Sequence, residues 1–467
     1  QSNIGMVHFS DPAEIVNLSF QISSEWMSTS LEHRALLLNT VANSIETDSY
    51  QFIYLLMHEA GKTIQDAHDE IREAVDFLRY YAQQSASLNS KSSQLGPTGE
   101  DNILEYSPKG LVACISPWNF PLAITLGQIA AALVTGNTVI AKASEETSLI
   151  AFKAISLFFD HGLPKDALHL LLGNGELGQA IISSQPLDLV VFTGSLSTAK
   201  NIHNNLAAKP GKIVPLIAET GGLNSMVVDS SALIERACDD IMRSAFNSAG
   251  QRCSALRLLL VHETIYEELI FMLKGMMNEL IVGNPMDSST DMGPMISVDA
   301  AAELYDYLDK PDAIRLSIFQ PKISSKYGKQ WFPPTLIEIN SIESLNEEKF
   351  GPMLHVMQFT EDSLDRDLAQ IEAKGFGLTF GIHTRIDAKA IRASRLVSAG
   401  NTYINRDIIG AVVESQPFGG KNLSGTGFKA GGPNYLIQFI DERTISINTV
   451  AIGGNAELLN QASEDEI

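Results

Sequence analysis

A thiol set among polar neighbours is a candidate nucleophile, and Cys253 in Gly250-Gln-Arg-Cys-Ser254 is such a thiol. Beside a cation or an N–H-rich turn a cysteine loses its proton more readily and attacks electrophilic carbon. Cys114, inside Leu111-Val-Ala-Cys-Ile115, and Cys238, in a helical pattern, read as small core residues. Glu219 closes the apolar Ile217-Ala-Glu and meets Gly221-Gly222, so it is either a general base at a strand end or a capping, ion-paired carboxylate. Asn119 is held between Pro117 and Pro121; a side-chain amide so fixed donates to a developing oxyanion, or simply makes a turn. Lys142 and Glu145 close another strand and either hold ribose hydroxyls or form a solvated pair. Gly173-Asn-Gly175-Glu-Leu-Gly178 follows an apolar strand and opens a helical pattern, which suits either a pyrophosphate or a plain tight turn. The acid that a dinucleotide fingerprint places about twenty residues on is missing, since Asp188 precedes a strand.

These residues need elements to hold them. Asp11 to about Gln84 carries helical spacing, clearest in Ser30 to Thr47 and Ala67 to Tyr81, and 85–102 reads as a polar loop or exposed hairpin. Short apolar strands at Gly110–Ile115, Thr138–Lys142, Leu168–Leu172 and Leu189–Thr193 alternate with helical patterns at Gln128–Leu133, Leu149–Phe159 and Leu177–Ser183. Such alternation predicts a parallel sheet with crossover helices on both faces. A second α/β unit begins after Gly222, with strands at Ser225–Asp229, Leu256–His262, Met353–Phe359 and Asn401–Asn405 and helices at Leu233–Ser248 and Ile265–Glu279. The closing Ala462–Ile467 reads as a frayed acidic tail.

Composition narrows the chemistry. With 33 Lys and Arg against 55 Asp and Glu over 467 residues, the net charge is −22. This repels polyphosphates and argues against nucleic-acid or anionic-membrane binding. The 3 cysteines match no disulfide framework, zinc ribbon or CxxC motif, so no metal site is expected and a reducing, cytoplasmic setting is. No apolar run reaches membrane-spanning length. The start at Gln1, without Met, reads as mid-chain, as though cut from a longer polypeptide.

Taken in order, Pro117-Trp-Asn-Phe-Pro121, Lys142-Ala-Ser-Glu145, Phe192-Thr-Gly-Ser195, Glu219-Thr-Gly-Gly222, Gly250-Gln-Arg-Cys253, Glu348-Lys-Phe-Gly-Pro352 and Pro417-Phe-Gly-Gly420 resemble the aldehyde dehydrogenase superfamily. The stretches Arg72–Ala82, Ile217–Gly222, Asn405–Ala411 and Gly425–Pro433 are similar to its glutamate semialdehyde (pyrroline-5-carboxylate) dehydrogenase branch. Asn448–Asn455 resembles the version in bifunctional proline utilisation A polypeptides, where a proline dehydrogenase domain comes first.

The resemblance implies an aldehyde dehydrogenase fold in the α/β class. Residues 1–88 and 107–220 would form a Rossmann-like NAD-binding domain, 221–415 a catalytic domain, 89–106 and 440–452 an oligomerisation hairpin and strand that crosses to a homodimer partner, and 416–439 a return to the first domain. It implies that Cys253 attacks the aldehyde, that Asn119 and the Cys253 N–H hold the oxyanion, that hydride passes to NAD, and that Glu219 activates the water that hydrolyses the thioester. It places Lys142 and Glu145 at the adenosine ribose, Ser116 and Trp118 along the nucleotide, and Gly175 and Gly178 near adenine. Gly194 and Ser195 fall at the pyrophosphate, Glu348 and Phe350 at the nicotinamide, and Phe192 is a further cofactor-binding residue. A carboxylate at Glu145 repels a 2′-phosphate, which favours NAD over NADP. Ser254, Gly410 and Ala411 would take the substrate α-carboxylate, with Phe418 lining the pocket. Ala143 and Lys349 depart from the family pattern, which usually has Pro and an apolar residue there. Two other readings stay open: oxidation of another small aldehyde such as a dicarboxylic semialdehyde, and a cofactor-free cysteine hydrolase using Cys253 and Glu219. A non-catalytic scaffold would have less reason to keep Cys253, Glu219 and Asn119 together.

Overall fold

The computed structural model describes residues 9–17, 19–88, 91–310, 312, 315–324, 328–343, 345–449 and 451. The acidic segment Ala462–Ile467 lies outside them. No helix among the described residues is long and apolar enough to cross a membrane.

Five strands rich in branched aliphatics form the first sheet, in the order Leu168–Leu172, Thr138–Ala143, Leu111–Ile115, Leu189–Gly194, Leu216–Thr220, all parallel. Every residue of Leu111–Ile115 is buried, because helices cover both faces. One face packs on the helices Leu31–Thr47, Ile64–Ser85 and Ala123–Val134; the other packs on Gly175–Ser184 and Leu196–Ala208. The chain moves from Leu111–Ile115 outward to Leu168–Leu172, then returns to place Leu189–Gly194 on the opposite side. That reversal creates a crevice beyond the carboxyl ends of the strands, where nucleotide ligands bind in such sheets. Asp188, the misplaced acid of the glycine loop, accepts the Leu111 N–H at 2.8 Å and so fastens a strand start.

The second sheet has seven strands, in the order Arg315–Phe319, Thr335–Ile339, Met353–Phe359, Leu258–His262, Ser225–Val228, Thr379–His383, Asn401–Ile404. Only the edge strand Arg315–Phe319 runs antiparallel. Its core is a separate apolar cluster that includes Phe332, Phe359 and Phe380. The expected hairpin forms strands Lys91–Gln94 and Glu100–Pro108, which join Ile440–Asn448 in a three-stranded antiparallel sheet.

The helix expected to run to Ser248 stops at Phe246. Ser248, Ala249 and Gly250 all take left-handed backbone, at φ 53°, 53° and 62°. For Ser248 and Ala249 this costs roughly 1–2 kcal/mol each. Gly250 has no alternative, because a Cβ there would stand 2.3 Å from the Gly351 carbonyl oxygen.

Candidate active site

The left-handed turn delivers Cys253 to a chamber lined by residues of both sheets' units. Cys253, Ser254, Glu219, Gly410, Ala411 and Phe418 all line it. Phe77, Tyr81, Phe120 and Tyr435 supply an aromatic wall, with Tyr81 stacked 5.6 Å from both Phe77 and Tyr435. Residues 219, 253 and 410 are far apart in sequence, and the fold brings them to one space.

Asn119 is buried at the carboxyl end of strand Leu111–Ile115, and its Nδ2 donates to the Gln251 carbonyl at 3.1 Å. Glu219 ends strand Leu216–Thr220; its Oε2 accepts the Gly420 N–H at 2.9 Å. A Cβ on Gly419 or Gly425 would come within 2.9 Å of that carboxylate, so glycine is what lets the loop close over it. Burial pushes the Glu219 carboxyl up to about 8, against the downward pull of Gly420 N–H and Lys429.

The thiol departs from expectation. Cys253 was read as activated by its polar turn, yet burial, followed by the carboxylates of Glu348, Glu219 and Glu73, pushes it up to about 12. Its cationic neighbour is spent elsewhere, since Arg252 Nη2 pairs with buried Asp66 at 2.9 Å and Nε bonds Ser248 Oγ. The Ser254 N–H favours the thiolate but is outweighed. The resting group is therefore a thiol.

Ser254 is buried, and its hydroxyl has no hydrogen-bond partner among the described residues; nor do the N–H groups of Gly410 and Ala411. An N–H pair and a hydroxyl left unpaired in one chamber suit an anion.

The nucleotide-type residues lie along the carboxyl edge of the first sheet. Lys142 Nζ is 3.3 Å from Glu145 Oε2, with the lysine buried and the glutamate partly open. A Cβ on Gly175 or Gly178 would touch nothing within 4 Å, so space lies beside both. Ser195 caps the helix Leu196–Ala208 by accepting the Thr198 N–H, and that helix starts where the strand Leu189–Gly194 ends. Trp118 meets Phe350 edge-on at 5.5 Å. Ser116 Oγ pairs with Thr125 Oγ1 at 2.7 Å and so faces the covering helix. Phe192 is buried in the core and packs under Gly194, where a Cβ would lie 2.5 Å from its ring. Strand-end lysine and carboxylate, a capped helix N-terminus and open glycines together fit a dinucleotide.

Glu348 pairs with Arg257 at 3.0 Å, and its carboxyl is raised to about 7 by burial. A Cβ on Gly221 would fall 1.7 Å from Glu348 Oε2, so only glycine admits the carboxylate there. Lys349 instead touches Glu347 and lies 4.8 Å from the Tyr307 ring, turned toward a separate cavity. Ala143 is buried at the strand end.

Sequence reasoning missed several residues. Asn224 Nδ2 donates to the carbonyls of Cys253 (2.6 Å) and Ala255 (2.9 Å), while its Oδ1 accepts the Thr379 N–H, which pins the Cys253 turn to the sheet. Arg257, a charge opening the apolar strand Leu258–His262, signalled a buried pair. Glu73 lines the chamber one and two helical turns before Phe77 and Tyr81, a spacing that was legible, and burial raises its carboxyl to about 7.

The aldehyde dehydrogenase family model matches residues 10–445. The bifunctional protein PutA of Klebsiella aerogenes is 43% identical over 90% of this chain, which spans 32% of that relative. The 1-pyrroline-5-carboxylate dehydrogenase 1 of Halalkalibacterium halodurans is 35% identical over 90% of this chain and 82% of its own length. Among solved structures, a bifunctional proline utilization A (PutA) protein superposes with TM-score 0.91 at 44% identity, covering 96% of this chain and 46% of that one. A Thermus 1-pyrroline-5-carboxylate dehydrogenase with bound NAD superposes with TM-score 0.87 at 29% identity, covering 94% and 85%. The chain thus spans about a third of the length of the first of these curated relatives. By the match across nearly its whole length and by the site it builds, the chain belongs to the aldehyde dehydrogenase family.

Proposed function

We propose that the chain oxidises glutamate γ-semialdehyde to glutamate with NAD, as one unit of a longer proline-oxidising polypeptide that also carries a proline dehydrogenase. The observation that carries the reading is the shared chamber of Cys253 and Glu219, walled on one side by Ser254, Gly410 and Ala411 with their unpaired donors. The 1-pyrroline-5-carboxylate dehydrogenase relatives support the substrate, and the PutA relatives support the longer polypeptide.

Cys253 Sγ bonds to the aldehyde carbon as its proton passes to a base, and the carbonyl oxygen becomes an oxyanion held by Asn119 Nδ2 and the Cys253 N–H. NAD, when bound, supplies the acceptor for the hydride that leaves that carbon. Glu219 then takes a proton from water; the resulting hydroxide attacks the thioester, and the carbon–sulfur bond breaks to release the carboxylic acid and restore the cysteine. The free donors at Ser254, Gly410 and Ala411 hold the α-carboxylate, and Glu73, which lines the same chamber, is the carboxylate that would take the α-ammonium. In this reading the first sheet and its helices bind the cofactor through Lys142, Glu145, Gly175, Gly178, Gly194 and Ser195, together with Glu348 and Phe350, and the second sheet carries the catalytic unit. Glu145 disfavours a 2′-phosphate, which supports NAD. Among the described residues the strand Ile440–Asn448 pairs along one edge, which supports a homodimer built through its other edge, and the free cysteines support a cytoplasmic setting.

The test follows absorbance at the reduced-nicotinamide band on mixing the purified chain with semialdehyde and NAD. The expected result is a rise that vanishes in Cys253→Ala. Ester hydrolysis without any such rise would favour the cysteine hydrolase instead.

A further inference from the structure

Ser244 sits on the last turn of the helix Ile234–Phe246, is 1% exposed, and lies outside the chamber. The last four carbonyls of a helix lack partners within it. The Ser244 carbonyl is satisfied from outside by the Leu256 N–H at 2.9 Å, two residues beyond Ser254. Its hydroxyl accepts the Ile408 N–H at 3.1 Å, two residues before Gly410, and donates to the Asp240 carbonyl at 2.6 Å. One residue therefore grips both halves of the chamber wall that carries the unpaired donors: the Ser254 half through its main chain, the Gly410–Ala411 half through its side chain.

The loop has few other fastenings. Asn405, at φ 56°, anchors its start by bonding both the N–H and the carbonyl of Thr384 at 2.9 Å. At its far end Val412 N–H reaches only Gln416 Oε1 within the same loop. Between them the Asp240 carboxyl takes the Asp407 N–H, and Ser244 Oγ takes the next one along. Ile408 is fully buried, so its N–H without Ser244 has no water to turn to, and the backbone must shift to find a partner.

We propose that Ser244 is a positioning residue for substrate specificity: its hydroxyl fixes how far Gly410 and Ala411 stand from Ser254, and so tunes the wall to an α-carboxylate. This rests on the glutamate semialdehyde reading. Removing the hydroxyl leaves the main-chain bond to Leu256, so the nucleophile turn keeps its place.

The test compares wild type, Ser244→Ala and Ser244→Cys by steady-state kinetics with glutamate semialdehyde and with propanal, and by calorimetric binding of glutamate to the cofactor-free chain. Ser244→Ala is expected to raise KM for the semialdehyde and Kd for glutamate about tenfold, the equivalent of one 1.4 kcal/mol hydrogen bond. Its kcat and its propanal kinetics stay within twofold of wild type, and Ser244→Cys, a weaker acceptor of similar volume, falls between. Equal losses on both aldehydes, or unchanged glutamate affinity in a folded variant, overturn the proposal. Should Ser244→Ala fail to fold, Ser244→Cys decides by the same split. If wild type itself neither binds glutamate nor oxidises the semialdehyde, the functional reading has failed, and the positioning role falls with it.

Discussion

The Asn119 side-chain amide donates to the Gln251 carbonyl at 3.1 Å, which ties the end of the central strand of the first sheet to the turn that presents Cys253. An amide nitrogen carries two hydrogens, so one fixes the orientation while the other remains for an oxyanion. Asn119→Ala should lower kcat by about 10²–10³, the usual cost of losing one oxyanion donor. Steady-state kinetics checks it, with circular dichroism showing an intact fold; a loss under threefold would remove Asn119 from the mechanism.

The Glu219 carboxyl, raised to about 8, is protonated and idle as a base below that pH and ionised above it. Where thioester hydrolysis limits turnover, kcat should climb about tenfold per pH unit below 8 and level off above. In Glu219→Gln that limb should flatten. A wild-type profile level from pH 6 to 9 would mean that another group activates the water.

After burial, Glu348 is the largest influence holding the Cys253 thiol protonated. Glu348→Gln removes that charge, so alkylation of the cofactor-free chain by iodoacetamide at pH 8 should run severalfold faster than in wild type. The same substitution leaves Arg257 facing a neutral amide. Alkylation slower than wild type would show that the Glu348 carboxylate does not govern the thiol.

How legible all this was depended on how local each signal is. The parallel first sheet was readable because its strands are unbroken apolar runs: Leu111–Ile115 and Leu189–Thr193 announce burial on both faces. Thr379–His383, in the second sheet, was not read as a strand. It holds a glycine at 381, which weakens the strand pattern, and the reason for that glycine is tertiary: a Cβ there would stand 2.6 Å from Ile408. Cys253 and Glu219 stand out by residue type and position, and Ser254, Gly410, Ala411 and Phe418 by resemblance, yet the state of the thiol is not legible in the sequence. Sequence showed Arg252 next to Cys253, but only the fold reveals that Arg252 is committed to Asp66 and that three carboxylates surround the sulfur. Asn224 escaped notice because its contacts are with backbone, which no side-chain pattern encodes.

If Cys253 and Glu219 act in sequence on one carbon within one chamber, rapid mixing of Glu219→Gln with semialdehyde and NAD separates the two steps. A burst of about one reduced nicotinamide per site is expected, followed by turnover slowed at least a hundredfold, because the thioester forms but is not hydrolysed. Full steady-state turnover in that variant, or a burst that survives in Cys253→Ala, would contradict it.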